Sequence, residues 1–281
     1  MFISNRFLYL PHQRLPILAR LQWNHPTSPQ AREISPLIIG HRGSGQPSTN
    51  PKANSKNRLI GNTRRSIQAA IDAKVDWIEI DIRASKDEAL VVFHDAEIDA
   101  KTTHTGKVED MTLQDLKSYN IQVEPPEKIL SLREVFAGFH TDKQHWILDI
   151  KAPGMSDDVI AQIEESNIPK EQVIIFGDHD VLEAYRDKGY RLGYITFFSN
   201  HRSMAVSPSA VFKRCKDDAY DLLVVPIVFV TPTFVASARE NGVDIWSYGS
   251  DDPRDLKYCA DCGVQGLIVD APESAVSQFR N

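Results

Sequence analysis

Two short apolar segments within residues 77–93 carry polar side chains that a purely structural strand does not need. Glu79 and Asp81 alternate with isoleucines in the first segment, and His94 and Asp95 directly follow the second. Because side chains alternate along a strand, Glu79 and Asp81 share one face. The few residues between the segments are too short for a parallel crossover. We therefore expect a hairpin that returns His94 beside the two carboxylates.

Two further polar pairs stand where other predicted strands end. His41 and Arg42 follow the apolar run at 37–40, and Asp149 and Lys151 close the run that begins at Trp146. Alternation again puts Asp149 and Lys151 on one face of their strand. If these strands belong to one barrel, their C-terminal ends meet at its mouth.

The residue types in this set predict a metal site. Glu79, Asp81 and Asp149 cannot all ionise in a closed space without a cation to offset their repulsion. Ligation by oxygen alone suits one divalent ion, Mg²⁺ or Ca²⁺, rather than zinc. A single acid on a barrel strand is often only a member of a structural ion pair, so the interpretation depends on the convergence of all three.

The basic and titratable residues extend this chemistry to a phosphoester. Arg42 and Lys151 are suited to bind an anion, and the fork of the arginine matches phosphate. His41 and His94 titrate near neutrality, as general acid–base catalysis prefers. Together with a metal ion, these residues predict metal-assisted cleavage of a phosphoester.

The elements that must position these residues follow a regular alternation from residue 36 onward. Ser131 and Glu134 form a capping box, Asp178 is predicted to cap a helix that continues to Gly189, and Thr231 precedes a helix with proline at its first position. The predicted strands are 37–40, 77–82, 146–150, 173–176, 191–197, 222–228, 244–247 and 266–269. Eight strand–helix units predict an α/β fold, a (β/α)₈ TIM barrel with an extra β-hairpin and a small insertion after strand 2, at about 96–130. A doubly wound open sheet is the alternative.

Composition limits the partners. The chain has 281 residues and a net charge of −6, which gives no general basic field for nucleic acid. Its three cysteines fit a reducing compartment, so we expect a cytoplasmic protein. No segment is apolar enough to span a membrane. We expect residues 1–35 to form an extension packed on or near a barrel domain at 36–281, with a weak membrane-surface contact as the alternative. The sequence gives no indication of oligomeric state.

The quoted residues resemble the motifs of the glycerophosphodiester phosphodiesterase family. The family's first strand leads into a motif matched by His41-Arg42-Gly43, and its later motifs are similar to Glu79-Ile-Asp81, 91–95 and Asp149-Ile-Lys151. The stretch from His94 to Leu116 is similar to its characteristic insertion. The resemblance covers roughly residues 36–276, and the joint spacing is more specific than any single motif.

The resemblance implies hydrolysis of a small-molecule glycerophosphodiester, such as glycerophosphocholine, to glycerol 3-phosphate and an alcohol. It also implies a role for each of the site residues. Glu79, Asp81 and Asp149 would hold the metal, His41 and His94 would act as acid and base, and Arg42 and Lys151 would bind the phosphate. Trp246 and Tyr248 are candidates for the substrate pocket.

This chain departs from the family pattern at two positions. Asp149 stands where the family usually has glutamate, and Gly61 stands where it usually has another glutamate before Asn62-Thr63. The loop at 44–61 contains no acid, and its basic residues are Lys52, Lys56 and Arg58. These could approach an anionic head group, although a solvated loop is the simpler interpretation.

Two alternatives to the diesterase therefore stay open. One is a barrel that binds phosphodiesters or phospholipid head groups with weak or no turnover. The other keeps the chemistry but cleaves lysophospholipids in the manner of a phospholipase D. Retention of both His41 and His94 favours an enzyme, because a binding protein needs no pair of titrating groups.

Overall fold

The computed structural model describes residues 35–45, 59–195 and 207–280. The predicted N-terminal extension, apart from its last residue, lies outside the described residues. So do Lys52, Lys56 and Arg58, the loop residues considered as contacts of an anionic head group. In the part of the chain that the structure describes, no helix has the length and apolar character needed to cross a membrane.

Parallel strands close into an eight-stranded barrel within the described residues. The barrel strands, numbered in chain order with two further strands, are β1 (Leu37–Gly40), β2 (Trp77–Ala84), β5 (Trp146–Ile150), β6 (Val173–Gly177), β7 (Arg191–Ile195), β8 (Leu222–Pro226), β9 (Asp244–Tyr248) and β10 (Gly266–Val269). Closure is provided by β1, which pairs with both β2 and β10. The predicted (β/α)₈ barrel is confirmed, and the open-sheet alternative is wrong.

Helices flank the barrel, and those that follow Ser131, Asp178 and Thr231 begin at the caps that the sequence predicted. They are α1 (Arg64–Ala73), α2 (Leu113–Ser118), α3 (Leu132–Phe139), α4 (Ser156–Glu165), α5 (His179–Leu182), α6 (Pro208–Asp217), α7 (Pro232–Glu240), α8 (Pro253–Cys262) and α9 (Pro272–Arg280). Ser131 and Glu134 form the expected capping box, and Thr231 caps α7. These caps satisfy amide groups that the first helical turn leaves without partners.

Two predicted elements end earlier than the sequence suggested. The α-helix capped by Asp178 is only four residues long, because the chain continues as a 3₁₀ turn at Glu183–Tyr185. Left-handed conformations at Asp187 and Gly189 follow further along the chain. Strand β8 ends at Pro226, which has no amide hydrogen to extend the ladder, and a 3₁₀ turn at Ile227–Phe229 follows.

The predicted hairpin is confirmed by the pairing of β2 with β3 (Leu90–Val92), which runs antiparallel. The amide of Phe93 donates a further hydrogen bond to the carbonyl of Asp81 at 3.0 Å, so the returning strand reaches the carboxylate-bearing part of β2. A short strand, β4 (Leu130–Ser131), pairs with β3 and was not predicted; nor was α2. Apolar side chains of the insertion form a cluster that packs against the hairpin.

The barrel interior changes from apolar to polar along its axis. A cluster of inward side chains fills the lower part, comprising Ile39, Trp77, Ile147, Ile174, Phe176, Leu222, Val224, Trp246 and Ile268. Nearer the C-terminal ends of the strands, the inward positions are Glu79, Asp81 and Asp149, all buried. The apolar cluster therefore closes the barrel below and leaves the polar side chains at its mouth.

Removal of the Phe176 ring tests this packing. Phe176 is 1% exposed, so Phe176→Ala should lower the free energy of unfolding by about 3–5 kcal/mol through lost burial and a cavity. Denaturant unfolding measures the change. Val228→Ala is the control, because Val228 is 79% exposed and its removal should change the stability by less than about 0.5 kcal/mol. Equal effects of the two changes would contradict the described core.

Candidate active site

Four strands bring the predicted residues together at the mouth of the barrel. His41 and Arg42 follow β1, and Asp270 follows β10, its neighbour. Asp81 of β2 lies directly opposite Asp149 of β5 in the parallel register. The convergence predicted from the sequence is therefore present as geometry.

The carboxylates of Glu79, Asp81 and Asp149 form a cluster that fits a divalent cation. One oxygen from each lies within 4.8 Å of the others. Among the described residues, Glu79 Oε1 is buried and has no hydrogen-bond partner. Burial, followed by the charges of Asp81 and Asp149, raises the pKa of Glu79 well above its usual value. An unpartnered buried oxygen beside two other acids is the arrangement that a hard cation would relieve.

Two cations meet at Asp81. Arg42 Nε lies 3.1 Å from Asp81 Oδ2, and Lys151 Nζ lies 2.7 Å from Asp81 Oδ1 and also contacts Asp149. Burial alone would raise the pKa of Asp81, but Lys151 and Arg42 hold it well below its usual value. Burial likewise opposes the charge on Lys151, yet Asp149 and Asp81 raise its pKa. The site therefore keeps Asp81 ionised and leaves Glu79 as the carboxylate that most needs a cation.

The backbone of the first loop is shaped by the same carboxylates. The amide of Arg42 donates to Glu79 Oε2 at 2.7 Å, with Arg42 in a left-handed conformation at φ 53°. Asn62, also left-handed, donates from Nδ2 to Asp81 Oδ2 at 2.6 Å and accepts from the amide of Asp81 at 3.2 Å. From the sequence, Asn62 was noted only in the Asn62-Thr63 match to the family motif, and no contact with Asp81 was predicted.

Each candidate catalytic histidine has its Nδ1 next to a carboxylate. His41 Nδ1 lies 2.8 Å from Asp270 Oδ1, and His94 Nδ1 lies 2.6 Å from Asp95 Oδ1. A carboxylate at Nδ1 favours the proton on that nitrogen and orients the ring. His41 Nε2 lies 3.9 Å from Glu79 Oε2, beside the carboxylate cluster. Asp270 was not proposed from the sequence, although its place at the end of the last strand was a usable signal.

The environment of His94 disfavours its cationic form. Burial lowers the pKa of His94, and the charges of Arg42 and Lys151 act in the same direction. The hydrogen bond to Asp95 opposes this shift without cancelling it. The charge of Asp81 also opposes the shift, but the net effect favours the neutral form of His94. Its backbone is also fixed, because Arg83 Nε donates to the carbonyl of His94 at 2.8 Å.

The two candidate pocket residues differ in accessibility. Trp246 is 1% exposed and packs inside the barrel, with its ring centroid 5.9 Å from that of Phe176 and 6.4 Å from that of Trp77. Tyr248, two residues closer to the C-terminal end of β9, remains partly exposed. Trp246 is thus part of the barrel core beneath the mouth, and contact with substrate at Tyr248 stays a prediction.

Gly61 has no room for the side chain that the family usually carries there. A Cβ built at this position would lie 2.3 Å from the carbonyl oxygen of Gly45 and 2.6 Å from Cβ of Arg42. Such distances require a backbone shift. The backbone of Gly45 and the side chain of Arg42 therefore occupy the space beside this position.

Comparison with known proteins agrees with this geometry. The model of the glycerophosphoryl diester phosphodiesterase family matches residues 41–274. A glycerophosphodiester phosphodiesterase from Caldanaerobacter subterraneus subsp. tengcongensis is 29% identical over 256 residues, which are 87% of this chain and 98% of that protein.

Solved structures share the fold. A glycerophosphodiester phosphodiesterase from Agrobacterium tumefaciens superposes with a TM-score of 0.70 at 18% identity, over 88% of this chain and 100% of the other. An Oleispira antarctica phosphodiesterase, solved with the product sn-glycerol-3-phosphate, gives a TM-score of 0.73 at 19% identity, over 88% and 97% of the two chains. At these identities the likeness shows the barrel alone.

Neutralising Glu79 tests the electrostatics of the carboxylate cluster. Its raised pKa means that the folded metal-free protein binds a proton more tightly than the unfolded chain, so stability is lost as pH rises from about 4.5 through the folded-state pKa. Metal-free Glu79→Gln should therefore melt at a higher temperature than the wild type at about pH 8 and depend less on pH. Added Mg²⁺ or Ca²⁺ should raise the melting temperature of the wild type and much less that of the variant.

The matched control is Glu240→Gln, an exposed glutamate at the end of α7. It should leave both the pH dependence and the response to cation unchanged. A variant Glu79→Gln that melts below the wild type at about pH 8 would contradict the raised pKa.

Substitution at Gly61 should damage the site rather than restore it. Gly61→Ala should destabilise the protein by about 1–3 kcal/mol and weaken cation-induced stabilisation, because the new Cβ displaces Arg42. Gly138→Ala in α3 is the control, since its nearest contact is Arg64 Nη1 at 3.4 Å and alanine favours a helix by about 1 kcal/mol. Unchanged stability and cation response in Gly61→Ala, measured by thermal unfolding, would show that the loop adapts.

Proposed function

Because the chain belongs to the glycerophosphoryl diester phosphodiesterase family, a family of phosphoric diester hydrolases, we propose that it hydrolyses glycerophosphodiesters to glycerol 3-phosphate and an alcohol. The observation that carries the proposal is the joint presence, at one barrel mouth, of three clustered carboxylates and two carboxylate-bound histidines. A site that only bound phosphate would need neither the second histidine nor the acid cluster.

The reaction requires a divalent cation in this proposal. Glu79, Asp81 and Asp149 would hold one Mg²⁺ or Ca²⁺ ion, since their oxygens are close enough and are hard ligands. When bound, the ion would neutralise charge on the phosphoryl oxygens. Asp149 reaches the cluster although it is one methylene shorter than the family's usual glutamate, because the β2–β5 register sets it opposite Asp81.

Arg42 and Lys151 would bind the phosphate beside the ion. Arg42 is buried and Lys151 is partly buried at the mouth, and both are held there by Asp81. A cation bound to the carboxylates would compete for these ion pairs and release part of each positive charge towards the substrate. Because Arg42 and Lys151 are already in position, they need not reorganise when negative charge develops during displacement at phosphorus.

The histidines would move the protons. His94, whose neutral form is favoured because burial lowers its pKa, accepts the proton of the attacking hydroxyl group. His41, oriented by Asp270, donates a proton to the leaving oxygen. The attacking hydroxyl belongs to the substrate's glycerol or to water. In the first case water then opens a cyclic phosphate, with the proton transfers reversed.

A lysophospholipid is the second candidate substrate, and one observation favours it. The 3₁₀ turn at Ile227–Phe229 follows the C-terminal end of β8, which is at the mouth side of the barrel, and Val228 in it is 79% exposed. An acyl chain leaving the mouth would bury such an apolar side chain. Faster cleavage of a lysophospholipid than of glycerophosphocholine, lost in Val228→Ser, would favour this substrate class.

Release of glycerol 3-phosphate from glycerophosphocholine tests the proposed reaction. Turnover should disappear with EDTA and return with Mg²⁺, Ca²⁺ or Mn²⁺. His41→Ala and His94→Ala should each lower kcat by about 10²–10⁴-fold, because each removes one proton-transfer group. The control is His104→Ala, which removes an exposed histidine stacked on Tyr119 in the insertion and should leave kcat unchanged.

Activity that survives both histidine changes would refute the acid–base roles. A wild-type protein that binds phosphodiesters but turns over neither these substrates nor lysophospholipids, with any of the three metals, would instead support a binding barrel.

The pH dependence of kcat/KM tests the proton-accepting role of His94. Its pKa is lowered from 6.5, so its neutral form persists to more acidic pH than that of an ordinary histidine. The acid limb of the profile should therefore have its midpoint below 6.5. A bound cation adds positive charge and moves the midpoint in the same direction. An acid limb above 6.5 would contradict the assignment.

A further inference from the structure

A lysine from the insertion is buried beside the candidate active site. The side chain of Lys101 is only 8% exposed, and its Nζ lies 5.3 Å from the centroid of the Phe93 ring. Burial lowers the pKa of Lys101, and the charge of Asp95 offsets part of that effect. Because burying a lysine is costly, its position requires a compensating partner.

That partner is the carboxylate that already binds His94. Lys101 Nζ lies 3.0 Å from Asp95 Oδ2, while His94 Nδ1 lies 2.6 Å from Asp95 Oδ1. Each oxygen of the Asp95 carboxylate therefore contacts a different residue, Lys101 or His94. Burial would raise the pKa of Asp95, but the hydrogen bond from His94 and the charge of Lys101 bring it well below its usual value. This environment favours an ionised Asp95, and a carboxylate at this distance favours a proton on His94 Nδ1.

The backbone of Lys101 is fixed by the insertion itself. Its amide donates to the carbonyl of Ile98 at 3.2 Å, and its carbonyl accepts from the amide of Gln122 at 2.8 Å. Ile98 and Ile121, next to Gln122, belong to the apolar cluster of the insertion. The position of the ammonium group is consequently set by the folding of the insertion, and Asp95 connects it to the His94 ring.

We propose that Lys101 is a positioning residue for His94, acting through Asp95, and that the insertion thereby sets which nitrogen of the His94 ring faces the substrate. With Asp95 held at both oxygens, Nδ1 carries the proton and Nε2 keeps the lone pair. Without Lys101, Asp95, which is 35% exposed, is free to rotate towards water, and His94 can adopt either tautomer. The consequence for turnover rests on the proposed function.

The tautomer is measurable without metal or substrate. Nitrogen-15 NMR of histidine-labelled, metal-free protein distinguishes a protonated ring nitrogen from a bare one, and the His94→Ala spectrum identifies the His94 signals. The wild type should show a single tautomer with the proton on Nδ1. Lys101→Met, which keeps the length of the side chain and removes its charge, should show a mixture of tautomers. Asp95→Asn should also lose the single tautomer.

Kinetics then separates positioning from folding. Lys101→Met should lower kcat by about 10- to 100-fold with KM nearly unchanged, because a misplaced ring affects the transition state more than binding. Lys101→Arg keeps a cation beside Asp95 and should recover most of the lost kcat. Lys107→Met is the matched control: Lys107 lies in the same insertion and pairs with Glu109, but its side chain is 52% exposed. It should behave as the wild type in both measurements.

The positioning role of Lys101 and the proposed diesterase function can be refuted separately. A single Nδ1-protonated tautomer in Lys101→Met, with wild-type kcat, would overturn the role of Lys101 whether or not the enzyme assignment holds. Wild-type protein without diesterase activity would refute the proposed function, while the spectra of Lys101→Met and Asp95→Asn would still decide the positioning. If Lys101→Met does not fold, Asp95→Asn tests the same contact from the side of the barrel.

Discussion

Electrostatic repulsion among three buried carboxylates is the constraint on which the rest of this site depends. Glu79, Asp81 and Asp149 are brought together by the register of two neighbouring strands, and the interior gives them little water for solvation. Arg42 and Lys151 compensate for Asp81 but offset the charge of Glu79 only in part, so the pKa of Glu79 stays raised. The same imbalance that disfavours the metal-free site is what would make a divalent cation bind there.

Several parts of the surrounding structure stabilise this arrangement of charges. The apolar lower barrel excludes water beneath the carboxylates, and Asn62 satisfies both the side chain and the amide of Asp81. Gly61 packs closely against the backbone of Gly45 and the side chain of Arg42. The insertion, which has an apolar cluster of its own, reaches the site through Lys101 and Asp95. Barrel, loop and insertion thus meet at the same few charged groups.

Much of this could be predicted because strand and helix signals repeat regularly. The alternation of Glu79 and Asp81 with isoleucines predicted that both side chains lie on one face of the strand. The short connection to Leu90 required a hairpin. The helix at Asp178 was predicted too long, because it changes to a 3₁₀ turn at Glu183–Tyr185. Trp246 and Tyr248 were both candidates for the substrate pocket, and their different burial became visible only in the folded barrel.

By itself, the sequence determined the closed α/β barrel, the hairpin and the identity of the acidic, basic and histidine residues, since these follow from local periodicity and residue chemistry. Only the tertiary structure decided which charges pair. Asp270 and His41 are 229 positions apart, and the contact of Asn62 with Asp81 depends on a left-handed turn. Whether Asp95 meets Lys101 depends on how the insertion packs. Pairing energies depend on distance and burial, and a chain acquires both only when its distant segments have folded together.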